Sequence, residues 1–333
     1  MKVLVPTIVQ PYNWSAYTDS QFFEATAWSA ATAYVVGDYV FVAADRSQYI
    51  CLVANTNFAP ISNPAKWARF GASLAWRAFD GFLTTNLFNT WIPSSFDASA
   101  MGLWAFPTTI QQSDSKATYT LRAMGAFNSV AVLATECSQV KIYFYDPTGT
   151  LGFSRTIRSL DDAQIIDAWD YCFGELSYAR DFIFDNLDGW GTSLKSQLYI
   201  EISNDPTPSN MITPSVYIGE IVVGQSHDIG GCHADAAIQL IDYSKKEIDP
   251  YGTVTIVQRA YSLNGSFEVE IEKSKRLQVQ NLITSLRATP AVYYPSEADA
   301  NQGLVIYGYV KDYSSTYSTP DRAYASLEIE GMI

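Results

Sequence analysis

Apolar positions in this chain come in short runs punctuated by turn residues, and they rarely recur at helical spacing. The segments 119–124, 129–133, 140–145, 181–184 and 198–202 are short runs of β-branched, aromatic and aliphatic residues separated by turn clusters, which predicts strands. Between two of them Asp146-Pro147-Thr148-Gly149 has Pro where a type I or II turn wants a preset φ. Regular strands so punctuated predict a two-sheet β-sandwich of jelly-roll-like form over residues 73–224. Residues 3–9 carry a weaker β pattern broken by Pro6 and Pro11, and residues 1–24 read as an arm or edge strand. In residues 25–72, the run 39–42, a turn at Asp45-Arg46-Ser47 and the run 49–53 predict a hairpin.

The pattern changes again over residues 225–333. Ser266-Phe267-Glu268-Val269-Glu270-Ile271-Glu272 alternates apolar with mostly acidic positions, as a strand with one wet face does. Ser274 then stands where a helix cap belongs, and Leu277, Val279, Leu282, Ile283 and Leu286 follow at roughly helical spacing until Pro290. With strands at 252–257, 291–294, 304–310 and 324–329, this last part reads as an α+β strand-helix-strand domain. The predicted class is therefore mainly β, in four parts bounded at 24, 72 and 224.

Composition narrows the function. Charged residues make up 17% of the chain and hydrophobic ones 48%, a balance that favours packed cores over disorder. The net charge of −13, without a clustered Lys/Arg stripe, argues against nucleic acid as a partner. No apolar run approaches the roughly 18 residues of a membrane span, and the start, Met1-Lys2-Val3-Leu4-Val5-Pro6, lacks the apolar stretch of a signal peptide. Synthesis and folding in a cytoplasm are expected. Cys51, Cys137, Cys172 and Cys232 are far apart, with no C-x-x-C pair, and are expected to be reduced.

Candidate chemistry concentrates in residues 27–67. Ala27-Trp28, Ala33-Tyr34, Gly37-Asp38, Tyr49 and Lys66-Trp67 occur in one short stretch, with Tyr39 between them. A Trp or Tyr face is apolar and its edge polar, so an exposed pair can stack on a sugar ring. The competing reading is that a unit this small uses its large aromatics as core. The order of these five features resembles the small carbohydrate-binding module of chitinases and cellulases, although residues 55–63 stand where that module usually carries a Trp-rich segment. The resemblance implies Trp28, Tyr34, Tyr39, Tyr49 and Trp67 as glycan-binding candidates, of which the need for a core leaves at most two or three as platforms.

The chain as a whole resembles phage tail-tip proteins in its opening Met1-Lys2-Val3-Leu4-Val5-Pro6, in 74–80, in Gly219-Glu220-Ile221-Val222-Val223-Gly224, in Ile306-Tyr307-Gly308 and in 327–331. That implies a virion structural protein of a tail tip or baseplate, with other tail proteins as partners and host-surface polysaccharide as a further one. A symmetric homo-oligomer follows, with three copies a candidate number.

Other groups carry weaker signals. His227-Asp228 and Cys232-His233 with Asp235 contain zinc-type ligands, but their spacing fits no zinc signature and Gly230-Gly231 reads as a turn. No metal or cofactor is expected. Asp161-Asp162 with Asp167 and Asp170, or Asp185 with Asp188, could supply the carboxylate pair of a glycosidase, which must face across a cleft about 5 to 10 Å wide. Trp169, Tyr171 and Trp190 lie beside them. Solvated loop acids are the plainer reading, and no catalytic residue is assigned. The alternatives to a glycan-binding assembly protein are a glycan-degrading enzyme with an attached binding module and a purely structural collar or adaptor with a vestigial one.

Overall fold

The computed structural model describes residues 1–7, 26–45, 47–72, 78–83, 116–122, 125–146, 148–159, 179–187, 189–191, 197–204, 216–233, 236–248, 254–296, 304–316 and 321–332. The fold is mainly β, with a curled antiparallel sheet at its centre. Ten strands form that sheet. Nine run in the order Phe182–Phe184, Ser129–Leu133, Glu220–Asp228, Lys2–Pro6, Ala291–Tyr294, Ile306–Thr316, Arg322–Gly331, Tyr261–Glu272 and Gly231–Cys232, and the tenth, Ala237–Asp242, also pairs with Tyr261–Glu272.

Alternation along these strands sorts side chains to two faces. Val3, Tyr293, Ile306, Phe267, Val269 and Ile271 turn to one face, where the helix Arg276–Ser285 covers them with Val279 and Ile283. Farther along that same face, Val130, Val132, Phe182, Phe184, Ile221 and Val223 share a core with a second sheet. Leu4, Ala131, Leu133, Val222, Val292, Tyr294 and Tyr307 form a core on the opposite face. Strand Ser129–Leu133, buried at every position, is apolar on both sides for this reason. Each large apolar side chain fully buried here contributes roughly 1.5–3 kcal/mol.

The second sheet has the order Leu151–Arg158, Gln139–Tyr145, Gln197–Ser203, Lys116–Arg122. Val140, Ile142 and Phe144 face its core together with Leu198, Ile200 and Ile202, their cross-strand partners. The turn between Gln139–Tyr145 and Leu151–Arg158 forms as its sequence predicts: the Gly149 amide donates to the Asp146 carbonyl at 3.0 Å, with Gly149 at φ +85°. Leu151–Arg158 has no buried residue, which is why apolar patterning missed it.

Two expectations are corrected. Residues 2–6 are a central strand and not an arm, paired with Asp228 through Gly224 on one side and with Tyr294 through Val292 on the other. Pro6 is tolerated because the Thr7 amide, donating to Val223 at 2.8 Å, fixes which positions point toward that strand. Position 6 points the other way, where pairing has already ended at Leu4, so no ladder bond is lost. The boundary at 224 also falls away, because Glu220–Asp228 runs unbroken across it and one sheet takes strands from both sides. At Gly224 a Cβ would collide with the Val5 carbonyl, so glycine here permits the close approach of the two strands.

Among the described residues, 26–72 hydrogen-bond within themselves. Tyr39–Val42, Ser47–Cys51 and Trp67–Ala72 make a three-stranded sheet, and Ala33–Tyr34 pairs with Asn55–Thr56.

Candidate functional site

The five aromatic candidates fall into two groups. Tyr34, Tyr49 and Trp67 are buried together with Val40 and Cys51 as the core of the small sheet, Trp67 being 1% exposed. Trp67 meets the Tyr34 ring edge-on at 5.2 Å, and its indole N–H donates to the Phe58 carbonyl at 2.9 Å. The Tyr34 hydroxyl accepts from the Ser29 amide at 2.7 Å. The Tyr49 hydroxyl donates to Asp45 Oδ2 at 2.5 Å, and burial followed by that carboxylate pushes the phenol up to about 12. These three are corrected from platforms to core, because Val40 and Cys51 are too small to fill the centre of so short a sheet without them.

Trp28 and Tyr39 are half-buried. Trp28, like Val42, packs against the core. Tyr39 opposes Ile50 and therefore points to the other side of the sheet from Val40 and Tyr49. The structure does not bring them together on one stacking surface. Instead the exposed apolar residues here are mostly aliphatic: Val35, Val36, Leu52, Val53 and Ile61, with Phe58 beneath the Lys66 ammonium, 3.2 Å from its ring centroid. Bonds from the Gly37 amide to Cys51 and from the Leu52 amide to Lys66 hold these loops side by side.

Of the acids that could pair for hydrolysis, Asp185 alone lies among the described residues. Asp161, Asp162, Asp167, Asp170 and Asp188 lie outside them, as do Trp169, Tyr171 and the Trp190 side chain. Asp185 is buried against Lys2, with Ser129 Oγ donating to it at 2.6 Å and the Asn186 amide at 2.8 Å. Burial alone would raise its carboxyl, but Lys2 and these donors hold it below the ordinary value. Next to it, Ser226 and Tyr294 share a 2.8 Å hydrogen bond and Asn128 bridges to Ser226, so this polar network ties the first strand to three others.

One strongly perturbed carboxyl was not foreseen. Glu220 sits at the head of its strand, 5% exposed, accepting the Gly81 amide at 3.0 Å. Burial, reinforced by the charge of Asp80, pushes it up to about 9, so it is neutral at physiological pH. The Tyr307 phenol is raised for the same first reason, with Glu220 and Asp80 adding to it. The sequence signal was an acid inside the apolar run Gly219-Glu220-Ile221-Val222-Val223. Its chemistry fits a latch holding residues 80–81 to the sheet.

Among the described residues no three His, Cys, Asp or Glu side chains gather as metal ligands. Asp228 pairs with Lys275 at 3.2 Å, and His233 lies against Tyr324 with ring centroids 5.6 Å apart. An open cavity of about 390 Å³ is lined by Asp228, Glu270, Glu272, Lys275 and Arg322, but the Lys275–Asp228 and Arg322–Glu270 pairs spend much of its charge internally.

A further surface lies in residues 237–261. Ala237–Asp242 pairs with the start of Tyr261–Glu272 and Lys245–Ile248 pairs with Val254–Val257, and between these pairs the Tyr243 amide donates to the Ala260 carbonyl and the Arg259 amide to the Ser244 hydroxyl. The result is one long two-stranded ribbon. Its apolar side chains are exposed: Leu240, Tyr243, Val254, Ile256, Val257 and Tyr261, with Ile256 at 69%. Alternation at Ile238-Gln239-Leu240-Ile241-Asp242 and the pair Lys245-Lys246 in an acidic chain were the available signals.

No family model and no curated protein matches the chain. What the geometry offers is therefore judged on its own: buried polar latches, aromatics used as core, and two exposed apolar surfaces on an acidic body.

Proposed function

We propose that this protein is a non-enzymatic structural component of a phage tail tip or baseplate, working through surfaces that neighbouring subunits cover. The observation that carries the reading is the ribbon of residues 237–248 and 254–261, on which Leu240, Tyr243, Val254, Ile256, Val257 and Tyr261 are all exposed. A two-stranded ribbon is marginal alone in water, and contiguous exposed apolar surface marks interaction sites. The small aromatic unit supports the same reading, since its outward side chains are aliphatic and suited to protein contact. Glycan contact in this reading would rest on Trp28 and Tyr39, the two candidates that keep exposed surface.

Two measurements test this. Mass spectrometry of purified particles from the encoding phage, with antibody-gold labelling, should find the chain at the tail end. Its absence from particles would overturn the proposal. A glycan array comparing the wild type with Trp28→Ala and Tyr39→Ala separates a sugar-binding unit, which loses signal, from a purely structural one, which shows none to lose.

A further inference from the structure

The second sheet has an outward face as well as a core face. Val140, Ile142 and Phe144 point into the core, so the alternate positions of the same strand, Gln139, Lys141, Tyr143 and Tyr145, point away from it. Register brings the neighbouring strands to the same side. Tyr199 opposes Tyr143 and Glu201 opposes Lys141, while on Leu151–Arg158 the exposed Ser154, Thr156 and Arg158 oppose Tyr143, Lys141 and Gln139.

In the middle of this face Tyr143 and Tyr199 stand with ring centroids 5.7 Å apart and planes tilted by 55°. Both are partly exposed, and Tyr145 continues the row at 36% exposure. The outward positions of Gln139–Tyr145 and Gln197–Ser203 include no Val, Ile, Leu or Phe. The rings are flanked instead by amides, hydroxyls and the Lys141–Glu201 ion pair at 3.7 Å. A protein partner would have to desolvate these groups for little aliphatic contact in return. A sugar fits better, because the C–H face of its ring packs on an aromatic plane while its hydroxyls donate and accept at the polar rim as water did.

Charge indicates which kind of sugar. The four strands of this sheet hold Lys116, Arg122, Lys141, Arg155 and Arg158 against one acid, Glu201, in a chain whose net charge is −13. Arg155 turns inward to donate to the Asp185 carbonyl at 2.7 Å. Arg158 is exposed on the outward face and makes no ion pair among the described residues. A guanidinium so placed can hold a carboxylate through two parallel hydrogen bonds. Nucleic acid is the weaker match, since the acidic body as a whole repels a phosphate chain.

We propose that the outward face of the second sheet binds an acidic polysaccharide, with sugar rings on Tyr143 and Tyr199 and a carboxylate on Arg158. This site is separate from the aromatic unit of residues 26–72. The inference goes beyond the assembly reading, which is decided by finding the chain in particles and not by sugar binding.

The test measures binding of the full chain to an array of bacterial capsular and O-chain polysaccharides that includes alginate, hyaluronan and neutral dextran, with a deoxythymidine oligonucleotide as a nucleic-acid probe. Wild type is compared with Tyr143→Leu/Tyr199→Leu, Tyr143→Phe/Tyr199→Phe, Arg158→Glu and Trp28→Ala/Tyr39→Ala, and circular dichroism with a melting curve checks that each is folded. Wild type should bind at least one acidic polysaccharide in preference to dextran, and added salt should weaken it. The Leu pair keeps apolar bulk but removes both ring faces, and should lower affinity about tenfold. The Phe pair keeps the faces and should bind within about threefold of wild type. Arg158→Glu should weaken the acidic polysaccharide and leave the melting curve in place. Cross-strand aromatic pairs also steady a sheet. Equal effects of the Leu and Phe pairs would reduce the rings to that role and overturn the proposal. So would a wild type that binds no acidic polysaccharide, an Arg158→Glu variant that binds as tightly, or an oligonucleotide held more tightly than every polysaccharide. Binding lost in Trp28→Ala/Tyr39→Ala but kept in the Leu pair would move the site to the small aromatic unit. If the Leu pair does not fold, Arg158→Glu decides, since its side chain stands in water and its loss leaves the core intact.

Discussion

Replacing Glu220 by Gln should change how the stability of this protein responds to pH. The carboxyl moves from an ordinary 4.5 to about 9 on folding, chiefly because it is buried, with Asp80 adding to the shift. A group that holds its proton more tightly when folded contributes stability that is complete below the unfolded value and is lost as pH rises toward the folded one. Between these limits the folded chain holds one more proton, so the slope is about −1.4 kcal/mol per pH unit. At pH 7 the accumulated loss is roughly 3 kcal/mol relative to acid conditions, as an order of magnitude. Gln keeps the oxygen that accepts from Gly81, is neutral at every pH and has nearly the same shape. The stability difference between variant and wild type should therefore grow from about pH 5 to about pH 9 in the variant's favour. Asp185 and Asp228, both lowered on folding, act in the opposite direction, but they are present in both proteins and cancel in the difference. Urea denaturation followed by tryptophan fluorescence measures it. Parallel stability curves for the two proteins would refute the buried, protonated Glu220.

Further expectations follow from the packing. Trp67→Ala should cost roughly 3–5 kcal/mol in the small aromatic unit, whereas Tyr39→Ala should cost about 1 kcal/mol, and limited proteolysis mapped within residues 26–72 distinguishes them. Lys2→Ala strands Asp185 as a buried, unpaired charge and should destabilise by roughly 3 kcal/mol, with partial rescue by adding Asp185→Asn, measured by thermal melting. At mildly alkaline pH, iodoacetamide should label Cys232 well before Cys137, whose thiol burial pushes up to about 12; equal rates by mass spectrometry would contradict that burial.

Local structure was legible in the sequence wherever one side of an element is wet. The alternation at 266–272 gave the correct buried set, Phe267, Val269 and Ile271, because water enforces the polar positions. The helix was found too, but its start lies at Arg276 without a side-chain cap from Ser274, and Leu277 is exposed while Val279 and Ile283 are buried. Spacing shows that a stripe exists without showing how wide the covered sheet is. What could not be read is pairing between distant strands: nothing in Val3-Leu4-Val5 names 224–228 and 292–294 as its neighbours, so a central strand passed for an arm. Among the candidate residues, sequence order marked the aromatic unit but carries no information on which ring points inward. Tyr49 and Trp67 face the core through strand parity and register, set by their cross-strand partners Val40 and Cys51, and Tyr34 joins them from a separate strand pair opposite Asn55.

The placement of Lys2–Pro6 between Glu220–Asp228 and Ala291–Tyr294 bears on how the chain is made. Lys2–Pro6 leaves the ribosome well before either neighbour and must wait, unpaired, until both have been synthesised, so closure of the large sheet is a late event and contacts of such long range fold slowly.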